Sequence, residues 1–426
     1  MTAQSIRPVA IIGGVRTPFC RSYTGYADLS NQDMLTTVLK GLVDKYSLKN
    51  THIDEVVGGA VVTHSKDWNL TREAVIGSGL NMSTPGITLQ QACGTSLQAA
   101  MMSAGKIATG QIECAIACGA DTISDAPIVF GRKFAQRLVK ANKARSIKEK
   151  AALFKGFSLG ELAPLPPSTA EARTGLAMGQ HCELMAQEWG VSREDQDLLA
   201  YASQTKAATA YTEGFFDDLL VSCAGIMRDN NIRDDMSLDK MANMRKAFER
   251  GPKGTLTAAN STPLTDGASG VLLASVEWAE ARGLPILAYL TDGQTSAVDF
   301  TAGDGLLMAP TVAVSKLITR QQLKLQDFDF YEIHEAFAAQ VLCTLKAWED
   351  KTYCKKHLGL DAPLGAIDQS RVNVKGSSLA VGHPFAATGG RIIATLSKLL
   401  NEKGKGRGLI SICTAGGMGI AAIVER

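Results

Sequence analysis

The chain holds 426 residues with a net charge of +2 from 44 Lys and Arg against 42 Asp and Glu, a balance that excludes a protein whose whole surface meets nucleic acid. At 45% hydrophobic it can bury a large core, and 41 Gly with 6% aromatics suit α/β enzymes with tight strand-to-helix turns. Nine cysteines, odd in number and without a C-x-x-C pair, argue for reduced thiols and against structural zinc or thioredoxin-type redox chemistry.

Residues 9–15 form a short apolar run that predicts a first core strand rather than a signal segment. The longest apolar stretch, 409–424, is broken by Gly416, Gly417 and Gly419 and is shorter than the roughly 20 residues that a membrane span needs. The last three residues, Val424, Glu425 and Arg426, are not a peroxisomal address, so a cytoplasmic location is expected.

An internal duplication sets the expected fold. A helix-like stretch at 31–45 leads to an apolar strand at 53–58; the same order returns at 312–320 and 328–333. A strand at 86–92 then ends in a turn at Cys93, followed by a helix at 94–109 and a strand at 112–118. In the second copy, 372–382 runs into a turn at His383, followed by a helix from about 385 to 400 and a strand at 409–413. Cys93 thus matches His383, and Cys118 matches Cys413. Helices on both faces predict two sheets sharing a central helical layer.

Between the copies, roughly 121–281 fits neither. Within it, 132–155 carries nine Lys and Arg opposed only by Glu149. A solvated helix face, a docking surface for a partner or acidic membrane, and a funnel for a polyanionic ligand all fit this pattern. Residues 164–167 break the chain with prolines, and Ser192 predicts the cap of a helix reaching about Thr212, with Glu194 in its first turn.

Four elements carry chemistry. Cys93, followed by Gly94 and small residues at a helix start, is placed where free N–H groups and the helix dipole favour a thiolate. His383, between Gly382 and Pro384 in the matching turn, suits a base for that thiol. Cys413 precedes the turn Thr414, Ala415, Gly416, Gly417, whose backbone N–H groups suit an oxyanion. His334 and Glu335 follow a buried strand and lead into a helix, again in a duplicated position.

With these motifs in this order, nearly the whole chain resembles the thiolase family, the acyl-CoA transferases that make or cleave 3-ketoacyl-CoA. The resemblance implies a five-layered αβαβα fold with two related halves, here 1–284 with an inserted loop domain at about 122–254, and 285–426. It implies Cys93 as the acylated nucleophile, His383 as its activator and Cys413 as the acid/base for the second substrate. Two oxyanion sites are expected, one from His383 with a water held at the His334 position, the other from N–H groups of Cys93 and Ala415, beside Gly416. CoA is the substrate, and no metal or redox cofactor is required. CoA contacts are expected at Met178, Arg233, Lys240, Phe248 and Thr262.

Two departures stand out. Where most thiolases have Asn, this chain has His334, which resembles the β-subunits of fatty-acid oxidation complexes and tilts the expectation toward degradation and longer acyl chains. Residues 178–183 read Met-Gly-Gln-His-Cys-Glu where Met-Gly-x-Thr-Ala-Glu is usual. A homodimer or homotetramer is expected, with a hydratase/dehydrogenase subunit as a possible partner. Decarboxylating ketoacyl synthases share the layered fold but commonly use one Cys with two His, and the Cys413 turn speaks against them. A non-catalytic lipid carrier or scaffold is opposed by the intact Cys, His, Cys set.

Overall fold

In a computed structural model, the described residues are 6–165, 167–233 and 235–426. Among the described residues the main sheet has ten strands, the two-residue strand Cys20–Arg21 pairing off its path and nine forming the path: β1 (Val9–Arg16), β2 (Glu55–Gly58), β3 (Gly86–Thr88), β4 (Cys114–Asp121), β5 (Thr265–Ser275), β6 (Ala288–Ala297), β7 (Phe330–Ile333), β8 (Arg407–Thr414) and β9 (Met418–Glu425). They lie in the order β7-β8-β9-β6-β1-β5-β4-β2-β3. The helices used below are α1 (Asn31–Lys45), α2 (Leu70–Ser78), α3 (Thr95–Ala108), α4 (Arg132–Lys143), α5 (Ile147–Leu153), α6 (Met178–Glu188), α7 (Arg193–Thr212), α8 (Ala309–Arg320), α9 (Ala338–Glu349) and α10 (Thr388–Lys403).

The duplication is visible in this order. β2-β4-β5-β1 in one half repeats as β7-β8-β9-β6 in the other, with the same mix of parallel and antiparallel neighbours. The strands of the two halves pair through one short antiparallel contact of β1 with β6, Ala10 opposite Tyr289 and Ile11 opposite Ala288, among the described residues. The two expected sheets are therefore joined at one edge.

Strand parity builds the layers, because alternate side chains point to opposite faces. In the first half Val9, Ile11, Ala115, Ala117, Val271 and Leu273 face α3 and α10, while Ala10, Ile12, Cys114, Ile116 and Leu272 face α1 and α2. In the second half Ile410, Ile412, Ile420 and Ala422 face the same central helices, and Leu409, Ala421 and Ile423 face α8 and α9. The result is five layers, helix, sheet, helix, sheet, helix, with the thiolase-type α/β architecture that the motifs imply.

Two expectations are corrected. Residues 372–382 do not form a strand: one parallel bridge, Tyr331 with Val372, is all that corresponds to the β2–β3 pairing. The reason is local. Asn373 takes a left-handed φ of 46°, accepts from Ile333 N–H at 2.9 Å and donates to Ile333 O at 2.9 Å, and residues 378–381 coil into one helical turn. The ladder also shifts a match. Val57 pairs with Ala117 and Glu332 with Ile410, so the position equivalent to Cys413 is Ala120, two residues beyond Cys118 on the same face.

Within the segment between the halves, the basic stretch forms two helices, α4 and α5, separated at 144–146. Phe130, Phe134, Phe154 and Phe157 pack as a small aromatic cluster beneath it, with ring centroids 5.0–5.9 Å apart. Ser192 caps α7 as expected, its hydroxyl oxygen accepting from Asp195 N–H at 3.0 Å.

The two central helices meet at glycine. A Cβ on Gly389 would lie 2.4 Å from the Leu97 backbone nitrogen, and Gly390 N–H donates to Ser96 Oγ at 2.8 Å. Gly389→Ala is expected to cost roughly 1–3 kcal/mol through overpacking that backbone cannot relieve. Chemical denaturation measures it; unchanged stability would show that the crossing tolerates separation.

Candidate active site

The chain turns sharply before α3. Ala92 sits in the left-handed region at φ 46°, Thr95 Oγ1 donates to Ala92 O at 2.7 Å, and Gln91 N–H donates back to Thr95 Oγ1 at 2.9 Å. This aims Cys93 at the start of α10. There Gly382 takes φ 101°, closed to most side chains, and His383 N–H donates to Thr265 Oγ1 at 2.7 Å. The outcome is a contact across the duplication: His383 Nε2 lies 3.1 Å from Cys93 Sγ.

Hydrogen-bond partners assign the His383 tautomer. Its Nδ1 contacts Thr388 Oγ1, and that hydroxyl has a carbonyl to donate to, Pro384 O at 3.5 Å. Nδ1–H therefore donates to Thr388, leaving the Nε2 lone pair for the Cys93 proton. Burial lowers His383 to about 3, helped by the charge of Arg391. Burial also pushes the Cys93 thiol up to about 12, against the opposing Ala415 N–H bond to its sulfur. The helix-start effect expected to favour a thiolate is thus outweighed by desolvation, and the resting pair is a neutral thiol and a neutral imidazole.

His334 is fully buried, its ring centroid 4.0 Å from that of His383. Its Nδ1 meets Ser378 Oγ at 2.7 Å, while its Nε2 has no hydrogen-bond partner among the described residues. Ligand atoms of Cys93, His334 and His383 all fall within 4.8 Å of one another, a spacing and donor set that a zinc-like cation could also use. Cys413 ends β8 with 1% exposure, and burial, then the proximity of Cys93, holds its thiol well above the usual range.

Beyond Cys413, Gly416 and Gly417 take φ of 76° and 69°, curling the backbone back toward Cys93. Gly416 N–H is committed to Glu171 Oε1 at 2.9 Å, so of the two turn residues only Ala415 directs its N–H at the Cys93 sulfur. Sequence reasoning missed Glu171. It lies in a small hairpin, Ala170 bridged to Ala177, that leads directly into α6 and Met178.

The expected CoA residues divide. Phe248 packs edge-on against Phe337 at 5.8 Å and closely over Gly179, next to Met178, in the apolar cluster that also holds Cys413. Thr262 N–H donates to Ala336 O at 3.1 Å, placing it beside the loop of His334. Lys240 pairs with Asp235 at 2.8 Å on the surface, and Arg233 N–H donates to Gln204 Oε1 at 3.0 Å; no contact brings either to the cysteines. Also missed were Thr388, Ser378 and Arg391. Glu335 accepts from Ser203, Asn373 and Leu379 and so ties the His334 loop to 373–379.

Comparison with known proteins agrees with this fold. Residues 9–277 match the thiolase N-terminal domain and 284–426 the thiolase C-terminal domain. The chain belongs to the thiolase family. It is 43% identical over 423 residues to a 3-ketoacyl-CoA thiolase of Shewanella loihica, covering 98% of this chain and 96% of that protein. It is 41% identical over 423 residues to a 3-ketoacyl-CoA thiolase of Yersinia pestis, with the same coverage. The crystal structure of the Bacillus anthracis acetyl-CoA acetyltransferase superposes with a TM-score of 0.81 at 26% identity, over 99% of this chain and 100% of that one. As a thiolase, this protein is an acyltransferase.

The raised Cys93 thiol has a direct consequence for the free thiolase. Its alkylation by iodoacetamide is expected to climb roughly tenfold per pH unit between about pH 7 and 10, without a plateau. Rates read by mass mapping of the Cys93 peptide check this; a plateau from about pH 7 would mean a preformed thiolate.

Proposed function

We propose that this thiolase converts 3-ketoacyl-CoA and CoA to acetyl-CoA and a shortened acyl-CoA, and runs the reverse Claisen condensation, through an acyl thioester on Cys93. The observation that carries the assignment is the 3.1 Å contact between Cys93 Sγ and the basic nitrogen of His383, with Cys413 buried alongside. In thiolysis, Cys93 gives its proton to His383 Nε2 as the sulfur attacks the 3-keto carbon. The bond between C2 and C3 then breaks, and Cys413 protonates the departing acetyl-CoA carbanion. CoA enters, loses its thiol proton to Cys413, and attacks the acyl group to release the shortened acyl-CoA.

Oxyanions form at two stages. His383 and the His334 position serve one, and the N–H groups of Cys93 and Ala415 the other. CoA acts as substrate, and the steps balance without a metal or redox cofactor. Met178, Phe248 and Thr262 line the pantetheine approach, while Arg233 and Lys240 attract the phosphates. His334 favours degradation of longer chains.

The chain divides into halves at 284–285 with a loop domain inserted at about 122–254, a division supported by the repeat of strand order. One edge of β3 is unpaired among the described residues, with Ile87 exposed on it, and this supports a homodimer or homotetramer through that edge. The face of α4 and α5, where Leu138, Val139 and Ile147 stand exposed among the bases, supports docking of a hydratase/dehydrogenase subunit or an acidic membrane. No helix among the described residues is long and apolar enough to cross a membrane, in keeping with action in the cytoplasm.

Peptide mass mapping after brief exposure to acetyl-CoA should place one acetyl group on Cys93. Cys93→Ala should remove acyl transfer, by roughly a thousandfold or more, while the fold survives. Cys413→Ser should still acylate but lose carbon–carbon bond formation and cleavage. Retained turnover without Cys93, or equal loss of both half-reactions without Cys413, would contradict these roles.

A further inference from the structure

His334 can serve the substrate oxygen only if the proton sits on the right nitrogen. An imidazole carries one proton when neutral, and a donor toward the Cys93 pocket requires it on Nε2. Burial, the neighbouring His383 and the charge of Arg391 all hold His334 neutral, with its titration moved well below the usual range. Which nitrogen is protonated is then decided by what faces Nδ1.

What faces Nδ1 is Ser378 Oγ, at 2.7 Å. That hydroxyl has one hydrogen and two lone pairs. Arg391 Nη2 donates to it at 2.8 Å, and a guanidinium has no acceptor to offer in return. The Ser378 hydrogen is therefore free for Nδ1, and no other acceptor for it stands among the described residues. The same arginine also donates from Nη1 to Ser377 Oγ at 3.2 Å, which fixes its fork, and it lies 3.8 Å from Glu332. All of these residues are buried, which screens the hydroxyl from bulk solvent.

We propose that Ser378 and Arg391 are positioning residues that fix His334 in its Nε2–H tautomer, making His334 a hydrogen-bond donor to the carbonyl oxygen of the substrate thioester or ketone. The proposal rests on the thiolase mechanism above and adds the residues that orient its His334 donor. The chain of donors runs one way: Arg391 to Ser378, Ser378 to His334 Nδ1, His334 Nε2–H into the pocket. His383 is held in the opposite tautomer by Thr388. Two imidazoles 4.0 Å apart thus divide the work, one accepting the proton of the nucleophile and the other donating to the developing oxyanion.

Nitrogen-15 correlation spectra of the histidine rings in the full-length enzyme test this without turnover. The His334 resonance, identified by its loss in His334→Asn, should show the proton on Nε2. In Ser378→Ala it should become a mixture of tautomers. In Arg391→Lys, which keeps the charge but not the fork, a partial shift is expected. Acylation of Cys93 by acetyl-CoA should slow roughly 10- to 100-fold in Ser378→Ala, in kcat rather than KM. A proton found on Nδ1 in the unaltered enzyme, or an unchanged tautomer with acylation within about threefold in Ser378→Ala, would overturn the proposal. Failure of the unaltered enzyme to acylate Cys93 would instead overturn the proposed function, leaving the tautomer to be judged by the spectra alone.

Discussion

Residues 93 and 383 meet because two helices start at the same place. α3 and α10 come from opposite halves of a duplicated chain, yet Gly389 lets their backbones approach at Leu97, and Gly390 N–H is bonded to Ser96 Oγ. Each helix is preceded by a strained turn, Ala92 at φ 46° and Gly382 at φ 101°. Bringing the two starts together brings the two turns together, and with them the thiol and the imidazole. Everything else around the site adjusts to that crossing: the strands that face it use Ala115, Ala117 and Ala422, small enough to let the central layer pack between two sheets.

Burial then sets the chemistry. A thiol and an imidazole 3.1 Å apart in water would exchange a proton readily, but here desolvation raises one and lowers the other, so both rest uncharged. The reaction consequently has to generate thiolate only as the sulfur attacks, when the acyl carbon takes up the charge. This spares the site an ion pair that solvent or a stray electrophile could exploit. It also makes hydrogen-bond direction, rather than net charge, the quantity that the surrounding residues must hold. Thr388 and Ser378 are hydroxyls in that position, each bonded to the ring of a histidine beside Cys93, while Thr265 accepts from the His383 main chain.

Much of this was legible in the sequence where a pattern was local. The matching helices placed Cys93 and His383 in the segments that lead into α3 and α10, and the glycines after Cys413 marked a turn of positive φ. What sequence reasoning lost were features decided by distant partners. The stretch 372–382 reads as a strand until Asn373 is seen to bond Ile333, which no spacing announces. Cys118 seems the counterpart of Cys413 by residue type, but ladder register selects Ala120, since a strand can slide by two without changing faces. Glu171 sits 245 positions from the amide it holds, in a segment with no copy to compare it with. Desolvation at Cys93 was invisible for a different reason: a helix start can be read from sequence, but the depth at which it is buried cannot.

A duplicated chain might be expected to carry two sites, and the corresponding positions explain why it carries one. The counterpart of His334 is Gly59, where a Cβ would lie 1.9 Å from Leu89 O, and the counterpart of Cys413 is Ala120. Gly119 is pressed against Ala386 O, and Asp121 accepts the N–H of Ala386 at 2.7 Å together with those of Val61 and Val62. That end of the first half is therefore filled by the His383 turn of the second, which it holds in place. Among the described residues the corresponding end of the second half meets instead the Glu171 hairpin and the aromatic pair Phe248 and Phe337, contributed partly by the inserted segment. One copy has become the support and the other the reaction chamber. The insertion, absent from the duplicated plan, supplies part of the wall around Cys413.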